Sequence, residues 1–267
     1  MSASEAGKAW VGEVLAGKAA IVTGAGRGLG RDIAIAMARA GARVAVIDLD
    51  PSTAEGVATE LGAYGLPGIA IECDVRRRAQ VKHAVRWTVA EFGGLDIVVN
   101  NAQNLSVVQA SFIETDDEHL LRHLNSGLFG TYYFLQESYE HLKARRGSVI
   151  NMGSGAGAGG RCEHFSYAAT KEAIRATTRV VAREWGPDGI RVNTICPAAY
   201  DTPSMKRFLS KASDEQKDAM ARQIPLGRFG GGDEVASVAV FLASDSASYM
   251  TGHTLMVDGG STMDAGR

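Results

Sequence analysis

Cysteine is scarce in this 267-residue chain: Cys73, Cys162 and Cys196 stand far apart, with no C-x-x-C pair. That excludes a disulfide framework and a zinc knuckle, and it fits a reducing, cytoplasmic setting. An excess of charge of either sign is equally missing. With 28 Lys and Arg against 30 Asp and Glu the formal net charge is −2, so no basic field invites nucleic acid or an anionic membrane. No apolar run is long enough to span a bilayer, and residues 1–17 hold Glu5 and Glu13 but no apolar stretch of signal-peptide length. Residues 1–16 are therefore expected to be a flexible leader. Repeats and low-complexity tracts are absent apart from the glycine-rich 153–160, and no linker divides the chain. Residues 17–267 are expected to form one domain with a sizeable core.

What is present is alternation. β-branched runs at 19–23, 43–48, 68–72, 95–100, 148–152, 190–195 and 253–257 predict seven parallel strands. Helical patterns fall between them at 28–40, 51–62, 76–92, 116–144, 163–185 and 232–243, with a short helical pair expected within 203–221. Such a sequence implies an α/β fold, a doubly wound sheet with helices on both faces, which takes ligands at the carboxyl ends of its strands.

The first strand runs into Thr23-Gly24-Ala25-Gly26-Arg27-Gly28-Leu29-Gly30. A glycine-rich turn that opens a helix brings backbone N–H groups against a pyrophosphate, and a strand before with a helix after makes this a dinucleotide loop. Asp48 ends the next strand, where a carboxylate accepts hydrogen bonds from the adenosine ribose and repels a 2′-phosphate. The expected cofactor is NAD, although Arg27 pulls toward NADP because a guanidinium in the loop pairs with that extra phosphate. Asp50, ahead of Pro51, is the better candidate for capping the second helix.

Chemistry is carried by Ser154, Tyr167 and Lys171. A phenol with an ammonium four residues on lies on one helix face, where the cation is expected to favour the phenolate and lower a pKa that starts near ~10. Spacing alone proves little, since Ser126, Tyr139 and Lys143 repeat it. The stretch 116–143 reads as one continuous helix, which would hold Ser126 and Tyr139 roughly 20 Å apart on opposite faces. Ser154 instead ends a strand, and the glycine-rich stretch after it is expected to loop back toward a helix carrying Tyr167.

With these residues the chain resembles the short-chain dehydrogenase/reductase family over about residues 17–262. The motifs occur in the family's order: Thr23–Gly30, Cys73-Asp74-Val75, Asn100-Asn101-Ala102, Asn125, Ser154, Tyr167-x-x-x-Lys171, Arg191-Val192-Asn193 and the ending 252–260. The resemblance implies that Tyr167 donates or accepts the proton and that Ser154 polarises the carbonyl. Lys171 would bind the nicotinamide ribose, and Asn125 would hold a water in a proton relay through Lys171. Asp74 and Val75 would bind adenine, and Asn101 and Ala102 would line the cofactor cleft. Gly24, Arg27, Gly28, Leu29 and Gly30 would hold the pyrophosphate side, with Pro197, Tyr200 and Thr202 at the carboxamide end. The family also implies strand order 3-2-1-4-5-6-7 and a homotetramer.

Three positions depart from the family pattern. Gln103 replaces a usual Gly and adds a side chain at the cleft rim, Ala198 replaces another Gly, and Tyr200 stands where Val or Ile is common. All border the substrate side. The stretch 198–225 is expected to cover the pocket, with Tyr200, Met205, Phe208 and Leu209 as apolar groups and Leu105 on the opposite rim. His164, one turn before Tyr167, reads either as a substrate contact or as a loop histidine without a role. His119 and His123 have metal-ligand spacing but no third ligand, which favours a solvated or subunit-facing helix surface. A serine hydrolase is excluded because Met152 stands where G-x-S-x-G needs Gly. A methyltransferase has no use for the Tyr–Lys pair. The expectation is oxidoreduction of a secondary alcohol and a ketone, on a hydrophobic or cyclic substrate, with NAD; the alternative is a catalytically impaired dinucleotide sensor of the same fold.

Overall fold

The computed structural model describes residues 13–66, 68–106, 109–197, 200 and 212–262. Seven strands form one parallel sheet: β1 (Ala19–Thr23), β2 (Arg43–Asp48), β3 (Ile69–Glu72), β4 (Ile97–Asn100), β5 (Ser148–Met152), β6 (Arg191–Pro197) and β7 (Thr254–Val257). Their order is β3-β2-β1-β4-β5-β6-β7, the order the family resemblance implies. Every residue of β1, β4 and β5 is buried, as a sheet covered on both faces requires.

Side-chain alternation divides the core in two. Ala20 and Val22 of β1 face one layer with Ile33, Met37, Val235 and Val240, whereas Ala19 and Ile21 face the other with Val81, Val85, Phe134 and Leu142. The first layer is built by α1 (Gly28–Arg39), α2 (Pro51–Leu61) and α9 (Gly232–Ala243). The second is built by α3 (Arg78–Phe92), α5 (Gly130–Arg145) and α7 (Phe165–Trp185). Asp50 caps α2, accepting from the N–H groups of Ser52 and Thr53 at 3.0 and 3.4 Å. The strand order reverses between β1 and β4, and the loops beyond their carboxyl ends enclose the cleft described below.

Three expectations change. The stretch 116–144 is not one α-helix: α4 (Asp117–His123) passes through a π-helical turn, Leu124–Phe129, before α5. The wide turn coincides with Gly127 and Gly130 and with Ser126, whose hydroxyl donates back to the Arg122 carbonyl at 2.8 Å, a bond that loosens a helix. The glycine-rich stretch after β5 is not all loop, because Ser154 accepts from the Ala156 N–H at 3.1 Å and caps a single turn, α6 (Gly155–Ala158). The leader is not wholly loose either: Leu15 is fully buried and its N–H donates to the Ala40 carbonyl. Of the expected helical pair, α8 (Asp214–Arg222) is present with a Ser213–Gln216 capping box. Ala198, Thr202, Met205, Phe208 and Leu209 lie outside the described residues.

Candidate active site

The glycine loop is shaped by near contacts. Gly24 has φ +62°, and a Cβ there would come within 2.9 Å of the Ala102 backbone. A Cβ on Gly30 would run into the Gly24 carbonyl and come within 2.6 Å of the Asn101 amide nitrogen. Asn101 explains the tightness: its Nδ2 donates to the carbonyls of Thr23 and Gly24 at 2.8 and 3.2 Å. The Thr23 hydroxyl accepts from the N–H groups of Asn101 and Ala102. Thus Asn101 clamps the loop after β1 to the loop after β4 as well as lining the cleft. The loop then opens α1 without a side-chain cap, which leaves the first-turn N–H groups for an anion.

Asp48 faces this loop. Its Oδ2 accepts from the Gly26 N–H at 2.8 Å and its Oδ1 from the Asp50 N–H at 3.2 Å, so the carboxylate is fixed at the end of β2. Arg27 is exposed at the mouth and lowers the Asp50 pKa through space, after the larger effect of the Ser52 hydroxyl. Asp74 is already engaged: Arg76 grips both carboxylate oxygens at 2.8 Å and holds its pKa below the usual carboxylate range. Val75 packs on the bare Gly130. Arg76 itself lines the cleft, a contribution that the run Arg76-Arg77-Arg78 did not single out.

At the other end of the cleft lie Tyr167 and Lys171. The Lys171 ammonium is 5.6 Å from the Tyr167 ring centre and donates to the Met152 carbonyl at 2.8 Å. Burial drives its pKa down from 10.5 to about 8. The Tyr167 pKa is raised by burial, with the Ser154 hydroxyl bond acting the other way. The phenol pKa is thus raised and not lowered as expected, because desolvation is its largest cause and only the Ser154 hydroxyl opposes it. Ser154 does not line the cleft, though its neighbour Gly153 does, and its hydroxyl bonds to the Tyr167 phenol. Below them a buried ladder, Asn100 to Asn151 to Thr178 with Thr194, ties the ends of β4, β5 and β6 to α7 at 2.8 to 2.9 Å.

Other expected residues are placed differently. Asn125 is half-buried in the π-turn and does not line the cleft, whereas its neighbour Ser126 does. Gln103 lines the cleft but turns inward from the rim: its Nε2 lies 3.2 Å from both His123 Nδ1 and Ser126 Oγ. His119 and His123 are buried instead of solvated, with rings 5.3 Å apart, and His123 meets the Tyr167 ring edge-on at 5.8 Å. His164 folds its Nδ1 onto the Cys162 carbonyl at 2.8 Å and stays out of the cleft. Tyr200 buries its ring against Gly230 and donates its hydroxyl to the Val257 carbonyl at 2.5 Å, which ties it to the end of β7 and away from the cleft lining. Leu105, Pro197, Leu29, Gly28 and Ala102 line the cleft. Ser126, first met as part of the duplicate spacing, is the residue that periodicity could not place, because only the π-turn rotates it inward.

The cleft holds about 600 Å3 and joins a glycine loop, a fixed carboxylate and a buried phenol–amine pair. Fold and site together define an α/β protein with a dinucleotide-type cleft at the carboxyl ends of its strands. A family model described as Enoyl-(Acyl carrier protein) reductase matches residues 24–262. A 12alpha-hydroxysteroid dehydrogenase of Clostridium sp. is 38% identical over 91% of this chain and 96% of its own. A D-threitol dehydrogenase of Mycolicibacterium smegmatis is 39% identical over 93% and 94%. A 7 alpha-hydroxysteroid dehydrogenase structure, complexed with NADH and 7-oxo glycochenodeoxycholic acid, superposes with a TM-score of 0.85 at 31% identity over 92% and 94% of the two chains. The chain belongs to the short-chain dehydrogenase/reductase family.

Proposed function

We propose that this protein interconverts a secondary alcohol and a ketone with NAD. One observation carries the reading: Tyr167 and Lys171 line one end of a cleft whose other end is the glycine loop and Asp48, and the Ser154 hydroxyl, outside the lining, bonds to the phenol. A dinucleotide fits these residues, because the loop's backbone cradle has no room for added Cβ atoms and the first turn of α1 is uncapped. Bound there, it supplies the hydride chemistry, and the protein supplies orientation and proton handling.

Tyr167, kept protonated by burial, donates to the carbonyl oxygen in reduction and accepts the hydroxyl proton in oxidation. Ser154 donates to the same oxygen. Because oxidation needs the phenolate, its rate should climb with pH, while reduction should not. Lys171 is placed to hold the ribose and Asp48 to take the adenosine hydroxyls. Asp48 also confronts any 2′-phosphate, which favours NAD over NADP.

An apolar rim supports a hydrophobic or cyclic substrate. Leu105 is exposed and lines the cleft, while Phe112, Ile113 and Phe165 are exposed outside its lining, with Phe112 meeting Phe165 edge-on at 4.7 Å. The steroid named for two relatives is of this type. A cytoplasmic homotetramer completes the reading, with exposed Leu121, Phe129 and Tyr132 on α4, the π-turn and α5 as subunit contacts; no helix among the described residues is long and apolar enough to cross a membrane. The test is a panel of cyclic, steroidal and linear secondary alcohols, assayed with NAD and NADP separately by reduced-cofactor absorbance. NADP-only activity overturns the role of Asp48, and silence across the panel despite NADH binding overturns the reaction.

A further inference from the structure

We propose that Arg76 is a cofactor-binding residue, its guanidinium providing a flat platform on which the purine of the dinucleotide stacks. The inference rests on the dinucleotide reading of the cleft and adds a contact that neither the loop motif nor the family resemblance assigns.

Strand order locates the purine. Lys171 is tied to the Met152 carbonyl at the end of β5, the glycine loop follows β1, and β2 and β3 lie on the opposite side of β1 from β5. A dinucleotide with its phosphates on the loop and its hydride end beside Tyr167 therefore sends its second base past Asp48 toward β3. There the parallel register sets Asp48 beside Glu72, and the Cys73 N–H donates to the Asp48 carbonyl at 2.8 Å. Leu49, Cys73, Asp74, Val75 and Arg76 line this end of the cleft.

Arg76 is held there as a rigid plane. Its Nε and Nη2 donate to the two Asp74 carboxylate oxygens at 2.8 Å, and its backbone N–H donates to Oδ1 at 3.0 Å. The Asp74 N–H donates in turn to Gln80 Oε1 of α3 at 2.7 Å, so the pair is anchored from a second element. The Asp74 side chain is 11% exposed and that of Arg76 47%. Pairing occupies the Nε edge of the guanidinium, so what the half-exposed group has left to offer a ligand is its planar face. Its charge is already compensated by Asp74, which makes it a weak phosphate trap. Guanidinium planes stack on aromatic rings, and a plane fixed before the ligand arrives loses little side-chain freedom on binding. Leu49, exposed at the end of β2, adds apolar surface at the same end of the cleft.

The test is calorimetric titration of ADP-ribose, which carries the purine and both phosphates but no nicotinamide, into wild type, R76A and R76K. R76K keeps the charge and loses the plane. Both variants should weaken ADP-ribose about tenfold, or about 1.4 kcal/mol, by the same factor at low and high salt, because a stacked contact is screened far less than a phosphate contact. R76A keeps Arg77 Nε 3.5 Å from Asp74 Oδ2, so its Tm should change little, and kcat at saturating NADH should stay near wild type. A crystal structure with ADP-ribose should show the guanidinium parallel to the purine at about 4 Å. Wild-type affinity in R76A or in R76K, a loss that disappears in high salt, a loss confined to ligands with a 2′-phosphate, or a parallel fall of Tm and kcat would each overturn the inference. Where wild type binds neither ADP-ribose nor NADH, the dinucleotide reading falls and the inference with it; where it binds both and R76A binds them equally well, only the role of Arg76 falls.

Discussion

Tyr139 and Lys143 on α5 and Tyr167 and Lys171 on α7 share a spacing, each with a serine thirteen residues before the tyrosine, yet their surroundings drive them apart. Tyr139 donates to Asp188 at 2.6 Å, and the exposed Lys143 pairs with the same carboxylate at 3.0 Å. Asp188 raises the pKa of both. Lys171 is buried with no acid paired to it among the described residues, and its pKa falls to about 8. An acid partner raises the pKa of one lysine, and burial lowers that of the other to about 8. The buried pair is the one whose ammonium titrates close to the working pH, where general acid/base work is most effective.

Breaking the buried pair should have the largest effect. Y167F is expected to lower turnover by at least about a thousandfold, within the range of general acid/base catalysis, while NADH still binds; fluorescence titration of NADH against steady-state rates checks the split. K171M should also be nearly inactive, yet more stable than wild type at pH 7. A lysine whose pKa is depressed in the folded state leaves the unfolded chain binding more protons between pH 8 and 10.5. The cost of its charge is therefore full below pH 8 and is relieved as pH rises across that window. Its upper bound is about 3 kcal/mol, from ~1.4 kcal/mol per pKa unit. Denaturant titrations at pH 7 and 10 should show the two proteins converging at the higher pH.

The loop end of the cleft sharpens the comparison with smaller effects. G26A puts a Cβ within 2.9 Å of Asp48 Oδ2 and into the Thr53 side chain, and it should weaken NADH binding at least about tenfold, about 1.4 kcal/mol. D48A should reduce the preference in kcat/KM for NAD over NADP by about tenfold, read in parallel assays. The smallest effect belongs to the duplicate pair: Y139F removes the bond to Asp188 and should leave turnover within about twofold, with a slight fall in Tm. A large loss of activity there would mean that spacing, and not burial, marks the site.

How much was legible follows from the range of each interaction. The strands, α1, α2 and α9 were readable because hydrophobic period and turn residues are local, and Asp50 capped α2 as its neighbour Pro51 suggested. Ser154 and Tyr167 were found because a strand end and a glycine-rich return can be seen along the chain. The inward turn of Gln103, the burial of His123 and the tie from Tyr200 to the end of β7 were not, since each depends on a segment far away in sequence. The rise of the Tyr167 pKa is of the same kind: desolvation is a property of the packed site.

By itself the sequence determined the layered sheet and the glycine-rich loop after its first strand, because backbone geometry and side-chain period act over a few positions. Only the tertiary structure decided which Ser–Tyr–Lys set is buried, that a π-turn brings Ser126 to the cleft in preference to Asn125, and that Gln103 fills the space beside Gly127. Those outcomes depend on where distant helices pack against one another, and the free energy of burying a charge or an amide exists only once that packing has formed.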